Sequence, residues 1–189
     1  LIMEPLYRKG GIPVKKLLLV VDYQMDFVDG ALGFPGAAAL DGLIAEKITA
    51  YRAAGDDVAF TMDTHCANYL DTQEGRRLPV PHCLTDSDGW ALYGRTGQAQ
   101  ALGDVIIRKS SFPSLELGNW LEGQEYDQVE LVGLVSYMCV LSNAVVAKAA
   151  LPEAEILIDA SCTAGPDPDL HEKALDLMEQ GLQITVINR

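Results

Sequence analysis

The sequence lacks the motifs of several large enzyme classes. It has no HExxH pair, no GxSxG elbow and no glycine-rich phosphate loop, which argues against zinc proteases, α/β-hydrolases and P-loop nucleotide hydrolases. Cysteine is also scarce, with 4 residues in a chain of 189 and no CxxC pair. A chain of this length does not need disulfides to fold, so we expect a reducing, cytoplasmic setting.

Basic residues and long apolar runs are few as well. The 14 Lys and Arg residues are outnumbered by 27 Asp and Glu residues, and the formal net charge is −13. Nucleic acids and anionic membranes bind basic surfaces, so we expect neither as a partner. The longest apolar runs have strand length, and residues 1–11 lack the apolar core of a signal peptide. We therefore expect no membrane span.

Short apolar runs alternate with segments of helical spacing along the chain. The first run, Lys16–Val21, is continuous and has strand length, as in a parallel strand buried on both faces. Further strands are predicted at 57–62, 105–109, 129–133, 154–159 and 183–187, and helices at 37–54, 114–121, 140–150 and 169–180. The alternation predicts one three-layer α/β/α domain over residues 16–189, with a mostly parallel, Rossmann-like sheet of six strands, after an N-terminal extension of residues 1–15.

Chemically reactive side chains follow four of these predicted strands. They are Asp22, Asp63 with His65, Lys109 and Cys139. Ligand sites in parallel α/β sheets lie beyond the carboxyl ends of the strands, so we expect these residues to meet at one edge. The segment 66–100 is rich in Gly, Pro, Asp and Arg and has little periodicity, and a loop of that length is usually functional.

Cys139 lies where a predicted strand passes into a helix. Unpaired N–H groups and the positive end of the helix dipole favour a thiolate there, the nucleophilic form of cysteine. Asp22 can take the thiol proton, and Lys109 can stabilise the thiolate. His171 lies on a polar helix where solvent exposure is predicted, so the base is better sought among carboxylates. The alternative is a buried Cys139 that acts as a small hydrophobe, with Asp22 as a cap and Lys109 as a surface charge.

Two of the three histidines lie in one loop beside two acids. The four residues are Asp63, His65, Glu74 and His82. Alternating ligands in an extended segment point to one side, and the loop can return the later pair to the same ion. Nitrogen and oxygen ligands together suit Zn, Fe or Mn rather than Ca or Mg, so we predict one divalent transition metal, zinc first. The alternatives are solvated loop side chains, or a thiolate site or disulfide that involves Cys66 and Cys83.

Three motifs resemble those of the isochorismatase-like cysteine hydrolase superfamily, and the resemblance extends from about Lys16 to the end of the chain. The motifs are Asp22-Tyr23-Gln24-Met25-Asp26-Phe27, Gly133-Leu134-Val135-Ser136-Tyr137-Met138-Cys139-Val140, and Asp159-Ala160-Ser161. Within the superfamily, nicotinamidases carry a metal motif that Asp63-Thr64-His65 and Pro81-His82-Cys83 resemble. Glu74 resembles the carboxylate ligand that some of them carry.

The resemblance implies a thiol amidohydrolase whose partner is a small-molecule amide. The resemblance is strongest to the nicotinamidases, so the implied amide is nicotinamide, in NAD salvage. Asp22 would accept the proton of Cys139 and pass it to the departing ammonia, while Lys109 orients Asp22 and favours the thiolate. The metal would bind the pyridine nitrogen and position the ring rather than activate water. The expected assembly is a homo-oligomer.

The resemblance also implies how the substrate is held during the reaction. The backbone N–H groups of Val135 and Cys139 would form the oxyanion hole, with a cis peptide between Leu134 and Val135 turning the first N–H inward. Phe27 would pack on the substrate ring.

One segment departs from the nicotinamidase pattern. Family members usually carry a ring-stacking aromatic residue just before the Pro-x-His segment, whereas residues 76–82 read RRLPVPH, and the loop is one residue longer between Glu74 and His82. The two arginines either favour an anionic substrate or are solvated loop charges. Two other functions therefore stay open: a hydrolase of the superfamily that acts on a carbamoyl or ureido amide, and a non-catalytic member that binds a small ligand.

Overall fold

Six parallel strands form one sheet in the computed structural model, which describes residues 14–189. The strands are β1 (Lys16–Val21), β2 (Asp57–Asp63), β3 (Val105–Lys109), β4 (Gln128–Leu134), β5 (Glu155–Ala164) and β6 (Thr185–Ile187). Their order in the sheet is β3-β2-β1-β4-β5-β6, and every pairing is parallel. The predicted α/β fold is confirmed, with a wholly parallel sheet. The extension predicted for residues 1–15 lies, as far as residue 13, outside the described residues.

Helices cover both faces of the sheet. They are α1 (Met25–Val28), α2 (Leu40–Ala54), α3 (Gly94–Gln98), α4 (Leu115–Glu122), α5 (Leu141–Ala150) and α6 (Pro168–Asp176). A π-helical turn, Ser136–Val140, leads into α5, and a second one, Leu177–Gly181, follows α6. Across residues 14–189, no helix has both the length and the apolar character needed to cross a membrane.

The central strand β1 is buried on both faces. Leu17, Leu19 and Val21 pack in one cluster with residues of α4, α5 and α6. Leu18 and Val20 pack in the opposite cluster with residues of α1 and α2. Burying a side chain of this size contributes about 1.5–3 kcal/mol relative to exposure, so the run anchors both layers. The carboxyl end of β1 is therefore rigidly placed.

The local signals for helix ends also agree with the structure. Gly55 ends α2 with a left-handed φ of 78°, a conformation that glycine adopts at little cost. Ser114 caps α4, because its hydroxyl accepts a hydrogen bond from the Leu117 N–H.

Several boundaries differ from the prediction. β5 continues past Asp159 to Ala164, because its register with β4 shifts between Leu131 and Gly133 and accommodates further polar residues. The helix that contains Cys139 begins as the π-helical turn, and the predicted helix 169–180 ends at Asp176 before a turn of the same kind. α1 and α3 lie in segments predicted as loops, and β6 is shorter than predicted.

Candidate active site and metal centre

The carboxyl ends of four neighbouring strands bring the predicted reactive side chains together. Asp22 follows β1, Asp63 ends β2, Lys109 ends β3, and Cys139 lies in the turn after β4. All four are buried, so the alternative interpretation of Lys109 as a surface charge is wrong. Asp22 has a left-handed φ of 44°, an uncommon conformation for aspartate that turns the chain out of β1 at the site.

Lys109 lies at the centre of this group. Its Nζ lies 2.6 Å from Asp22 Oδ2, 3.2 Å from Asp63 Oδ1 and 3.5 Å from Cys139 Sγ. The same ammonium donates a hydrogen bond of 3.0 Å to the carbonyl of Ser111. One buried cation therefore contacts the proposed base, the proposed nucleophile and the first residue of the metal motif.

Burial and charge set the protonation states of the three groups. Burial raises the pKa of Asp22, and Lys109 opposes this only in part. Burial, followed by the negative charge of Asp22, raises the pKa of Cys139 well above its usual value, although Lys109 acts in the opposite direction. Burial favours neutral Lys109, but Asp22, Cys139 and Asp63 outweigh it and raise the pKa of this amine. Burial and the charge of Asp22 thus favour the thiol form of Cys139, whereas Lys109 favours the thiolate expected at this turn.

The four predicted metal ligands form one compact group. Their donor atoms all lie within 4.8 Å of one another. Asp63 Oδ2 is 3.0 Å from His65 Nε2 and 3.3 Å from His82 Nε2, and Glu74 Oε1 is 3.8 Å and 3.7 Å from the same two nitrogens. Both imidazoles are buried, so they are not solvated loop side chains. Two nitrogens and two carboxylate oxygens converge as donors, a set that fits a transition metal such as zinc.

Hydrogen bonds fix the orientation of the group. The carbonyl of Val80 accepts a hydrogen bond of 2.8 Å from His82 Nδ1, which turns Nε2 toward Asp63 Oδ2. Burial tends to raise the pKa of Asp63, but hydrogen bonds from the two histidines and the charge of Lys109 outweigh it and hold that pKa well below its usual range. Cys66 and Cys83 are free thiols outside the four-donor group, so the disulfide and thiolate alternatives are wrong.

Two residues of the opening motif for which no role was predicted hold Asp63 and the segment next to His82 in place. Gln24 forms two hydrogen bonds with Asp63, from Nε2 to the carbonyl at 2.9 Å and from the Asp63 N–H to Oε1 at 2.8 Å. Asp26 Oδ2 accepts a hydrogen bond of 2.7 Å from the Cys83 N–H, next to His82. The signal was present in the Asp-x-Gln-x-Asp-Phe spacing, which places both side chains just after β1.

A cavity of about 240 Å³ joins the thiol to the metal group. Its walls are mostly apolar and include Phe27, Leu32, Leu78, Phe112, Val135, Tyr137, Met138 and Pro166, with Asp63, Glu74, His82 and Cys139 as the polar contributions. Phe27 lines the cavity, with its ring centroid 5.5 Å from that of His82. The lining therefore includes both Cys139 and three of the four donor residues.

The segment that departs from the family pattern contributes one residue to the cavity wall. Leu78 lines the cavity, whereas Arg76 and Arg77 are exposed and lie outside the lining. The Arg76 guanidinium donates to the carbonyl of Asp71. Since no Arg side chain lines the cavity, the structure gives no support to an anionic substrate.

The turn between β4 and α5 presents Val135 and Cys139. The peptide between Leu134 and Val135 is cis, as the resemblance implied, and Val135 lines the cavity. His171 contacts this turn, with Nδ1 2.9 Å from Ser136 Oγ. Its predicted solvation is therefore wrong: the ring is half-buried, and burial lowers its pKa.

The fold and this buried edge define an isochorismatase-like hydrolase. The isochorismatase domain model matches residues 16–188, so the chain belongs to the isochorismatase family. The nicotinamidase/pyrazinamidase of Mycobacterium tuberculosis is 29% identical over 182 residues, which are 86% of this chain and 94% of that protein.

Two crystal structures agree with that family assignment. The nicotinamidase/pyrazinamidase PncA of Bacillus subtilis superposes with a TM-score of 0.81 at 28% identity, covering 92% of this chain and 99% of that one. The pyrazinamidase of Pyrococcus horikoshii, solved in complex with zinc, superposes with a TM-score of 0.79 at 25% identity, covering 93% of this chain and 99% of that one.

Proposed function

We propose that the protein is a metal-dependent cysteine amidohydrolase that converts nicotinamide to nicotinic acid and ammonia. The observation that carries the proposal is the cavity whose wall contains both Cys139 and three of the four proposed metal ligands. Asp63 connects the two parts, because Oδ1 contacts Lys109 and Oδ2 contacts the histidines. An aromatic amide fills such a cavity with its ring nitrogen toward the donors and its carbonyl carbon toward the thiol.

The first half-reaction forms a thioester on Cys139. Asp22 takes the thiol proton as Sγ attacks the amide carbon, which suits a carboxylate whose basicity is increased by burial. Lys109, 3.5 Å from Sγ, stabilises the developing thiolate and stays paired with Asp22. The N–H groups of Val135 and Cys139 receive the negative charge on the carbonyl oxygen. Asp22 then protonates the departing nitrogen, and ammonia leaves.

The second half-reaction releases the acid. Asp22 takes a proton from a water molecule that attacks the thioester carbon, and the carbon–sulfur bond breaks to give nicotinic acid. The proton returns to Cys139, which restores the resting thiol. The apolar walls of Phe27, Val135 and Tyr137 limit the water that reaches the thioester.

Asp63, His65, Glu74 and His82 are the residues that would hold the divalent metal, with zinc the first candidate. When bound, the metal supplies a Lewis-acid contact for the ring nitrogen, so its contribution is orientation of the substrate. Phe27 packs against the ring beside His82.

The test is ammonia release from nicotinamide by the purified metal-loaded protein, with Cys139→Ala as the matched control. The wild type is expected to release ammonia and nicotinic acid in equal amounts, and the variant none. Ammonia from a carbamoyl or ureido amide but none from nicotinamide would replace the substrate assignment. Undiminished turnover in Cys139→Ala would remove the thiol mechanism.

A further inference from the structure

Asn143 connects the nucleophile turn to the loop that follows β3. It lies one helical turn after Cys139, on α5, and its side chain is fully buried. Asn143 Nδ2 donates to the carbonyl of Cys139 at 2.8 Å and to the carbonyl of Phe112 at 2.9 Å. Its Oδ1 accepts from the N–H of Ser114 at 3.0 Å. Both the NH2 group and the oxygen of the Asn143 amide therefore have hydrogen-bond partners. Rotating the amide by 180° would place its oxygen against two carbonyl oxygens.

The loop that Asn143 holds carries an aromatic wall of the cavity. Phe112 lines the cavity beside Cys139, yet 37% of it remains exposed. Because Phe112 faces the cavity and its backbone is held in place, its apolar ring is available to contact a ligand. Leu115, three residues later, is far more exposed and lies outside the cavity lining, as expected of an ordinary surface residue.

The same loop is fixed at a second point by the active-site lysine. Lys109 Nζ donates to the carbonyl of Ser111, immediately before Phe112. The backbone on both sides of the Phe112 side chain is thus set by residues that contact Cys139, one through Sγ and one through its carbonyl. A displacement of the loop would move the aromatic wall relative to the thiol.

We propose that Phe112 is a second ring-contacting residue of the cavity, in addition to Phe27, that contributes to its specificity, and that Asn143 is the residue that positions it. The segment before His82 offers the aliphatic Leu78 to the cavity, whereas the loop after β3 offers the aromatic Phe112. The ligand class is a neutral aromatic acyl compound. The identity of the reaction in this proposal rests on the proposed amidase function. The position of Phe112 in the cavity wall does not.

The test compares two alkylating reagents on Cys139, iodoacetamide and its N-phenyl derivative. In each reaction the thiol sulfur displaces iodide and loses its proton to buffer, so no amidase activity is needed. Cys66 is exposed and serves as an internal standard when labelled peptides are quantified by mass spectrometry. In the wild type, Cys139 should prefer the phenyl reagent relative to Cys66, with saturation at high reagent concentration.

Three variants separate positioning from general structure. Phe112→Ala and Asn143→Leu should each reduce the phenyl preference about three- to tenfold, the range expected for loss of one aromatic contact, where the preference is the ratio of the phenyl-reagent rate to the iodoacetamide rate of the same variant. Ser142→Ala is the matched control. Its hydroxyl also donates to the carbonyl of Cys139, at 3.3 Å, but the side chain makes no hydrogen bond to the Phe112 loop. This control should keep the full preference.

The double variant Phe112→Ala/Asn143→Leu should lose no more preference than the larger single effect, because both changes remove the same contact. Multiplied effects, an intact preference in Asn143→Leu, or an equal fall for both reagents would overturn the proposal. If Asn143→Leu does not fold, Asn143→Ser takes its place, with the same expected loss.

Nicotinamide kinetics distinguish this proposal from the proposed function. Asn143→Leu should raise KM with little change in kcat. If the wild type shows the phenyl preference but releases no ammonia, the proposed reaction is wrong and the proposed role of Phe112 is still supported. If the wild type hydrolyses nicotinamide but shows no phenyl preference, only the proposed role of Phe112 is wrong.

Discussion

Replacing Lys109 with methionine tests how the buried charges support one another. Lys109 Nζ lies 2.6 Å from Asp22 and 3.2 Å from Asp63, and the lysine is 5% exposed. Methionine fills a similar volume but leaves Asp22 without its cation. Breaking a buried ion pair by removing one partner costs about 3–5 kcal/mol. With a urea m-value of about 2 kcal/mol/M, the unfolding midpoint at pH 8 should fall by about 2 M.

The loss of stability in Lys109→Met should depend on pH. Burial raises the pKa of Asp22 in the folded protein, and Lys109 opposes that shift, so its removal raises the pKa further. A carboxyl group whose folded pKa lies above its unfolded pKa stabilises the fold when protonated, and this stabilisation is lost as pH rises through the folded pKa. The variant should therefore be closer to the wild type at pH 5 than at pH 8.

Urea unfolding with a chelator present, at both pH values, provides the assay. Adding Asp22→Asn to Lys109→Met should recover much of the lost stability, because the second change removes the uncompensated charge. Lys173→Met, at an exposed position of α6, should change the free energy of unfolding by less than about 0.5 kcal/mol. A loss in Lys109→Met that is equal at pH 5 and pH 8, or one that simply adds to that of Asp22→Asn, would refute the reasoning.

Three further predictions concern the chemistry. Cys139→Ser should keep the fold and lose nearly all turnover, because a hydroxyl has a much higher pKa than a thiol; ammonia release checks this, and wild-type rates would contradict it. His82→Ala should lose most bound metal, measured by elemental analysis, yet leave Cys139 open to iodoacetamide; a variant that keeps one metal per chain would count against the ligand assignment. Asp22→Asn should lower the pKa of Cys139 and Lys109→Met should raise it, because the charges of Asp22 and Lys109 act on the thiol in opposite directions. Iodoacetamide rates against pH check the two shifts, and shifts of the same sign would disprove the arrangement.

The parts of the fold that were predictable are those set by continuous burial. β1 begins and ends at the predicted residues, because its buried apolar run ends at Asp22, a charged residue at the sheet edge. β5 was predicted too short, since its later residues include Ser161 and Thr163 and their inclusion depends on a register shift against β4. No pattern within β5 itself records that shift.

The site shows the same division. The convergence of Asp22, Lys109 and Cys139 followed from the rule for strand ends in parallel sheets. Phe112 and Asn143 were missed because their importance depends on contacts between segments about 30 positions apart. The opposing effects on the pKa of Cys139 were missed for a similar reason, since burial and the charge of Asp22 depend on how distant segments pack around the thiol.

The most direct test of the account is to look for the thioester on Cys139. Metal-loaded wild type is mixed with nicotinamide and quenched with acid within one turnover, and the peptide that contains Cys139 is analysed by mass spectrometry. The account predicts a nicotinoyl group on this cysteine that appears before the acid product and disappears as nicotinic acid forms. Steady release of ammonia with an unmodified Cys139 peptide throughout, or with the acyl group on another residue, would contradict it.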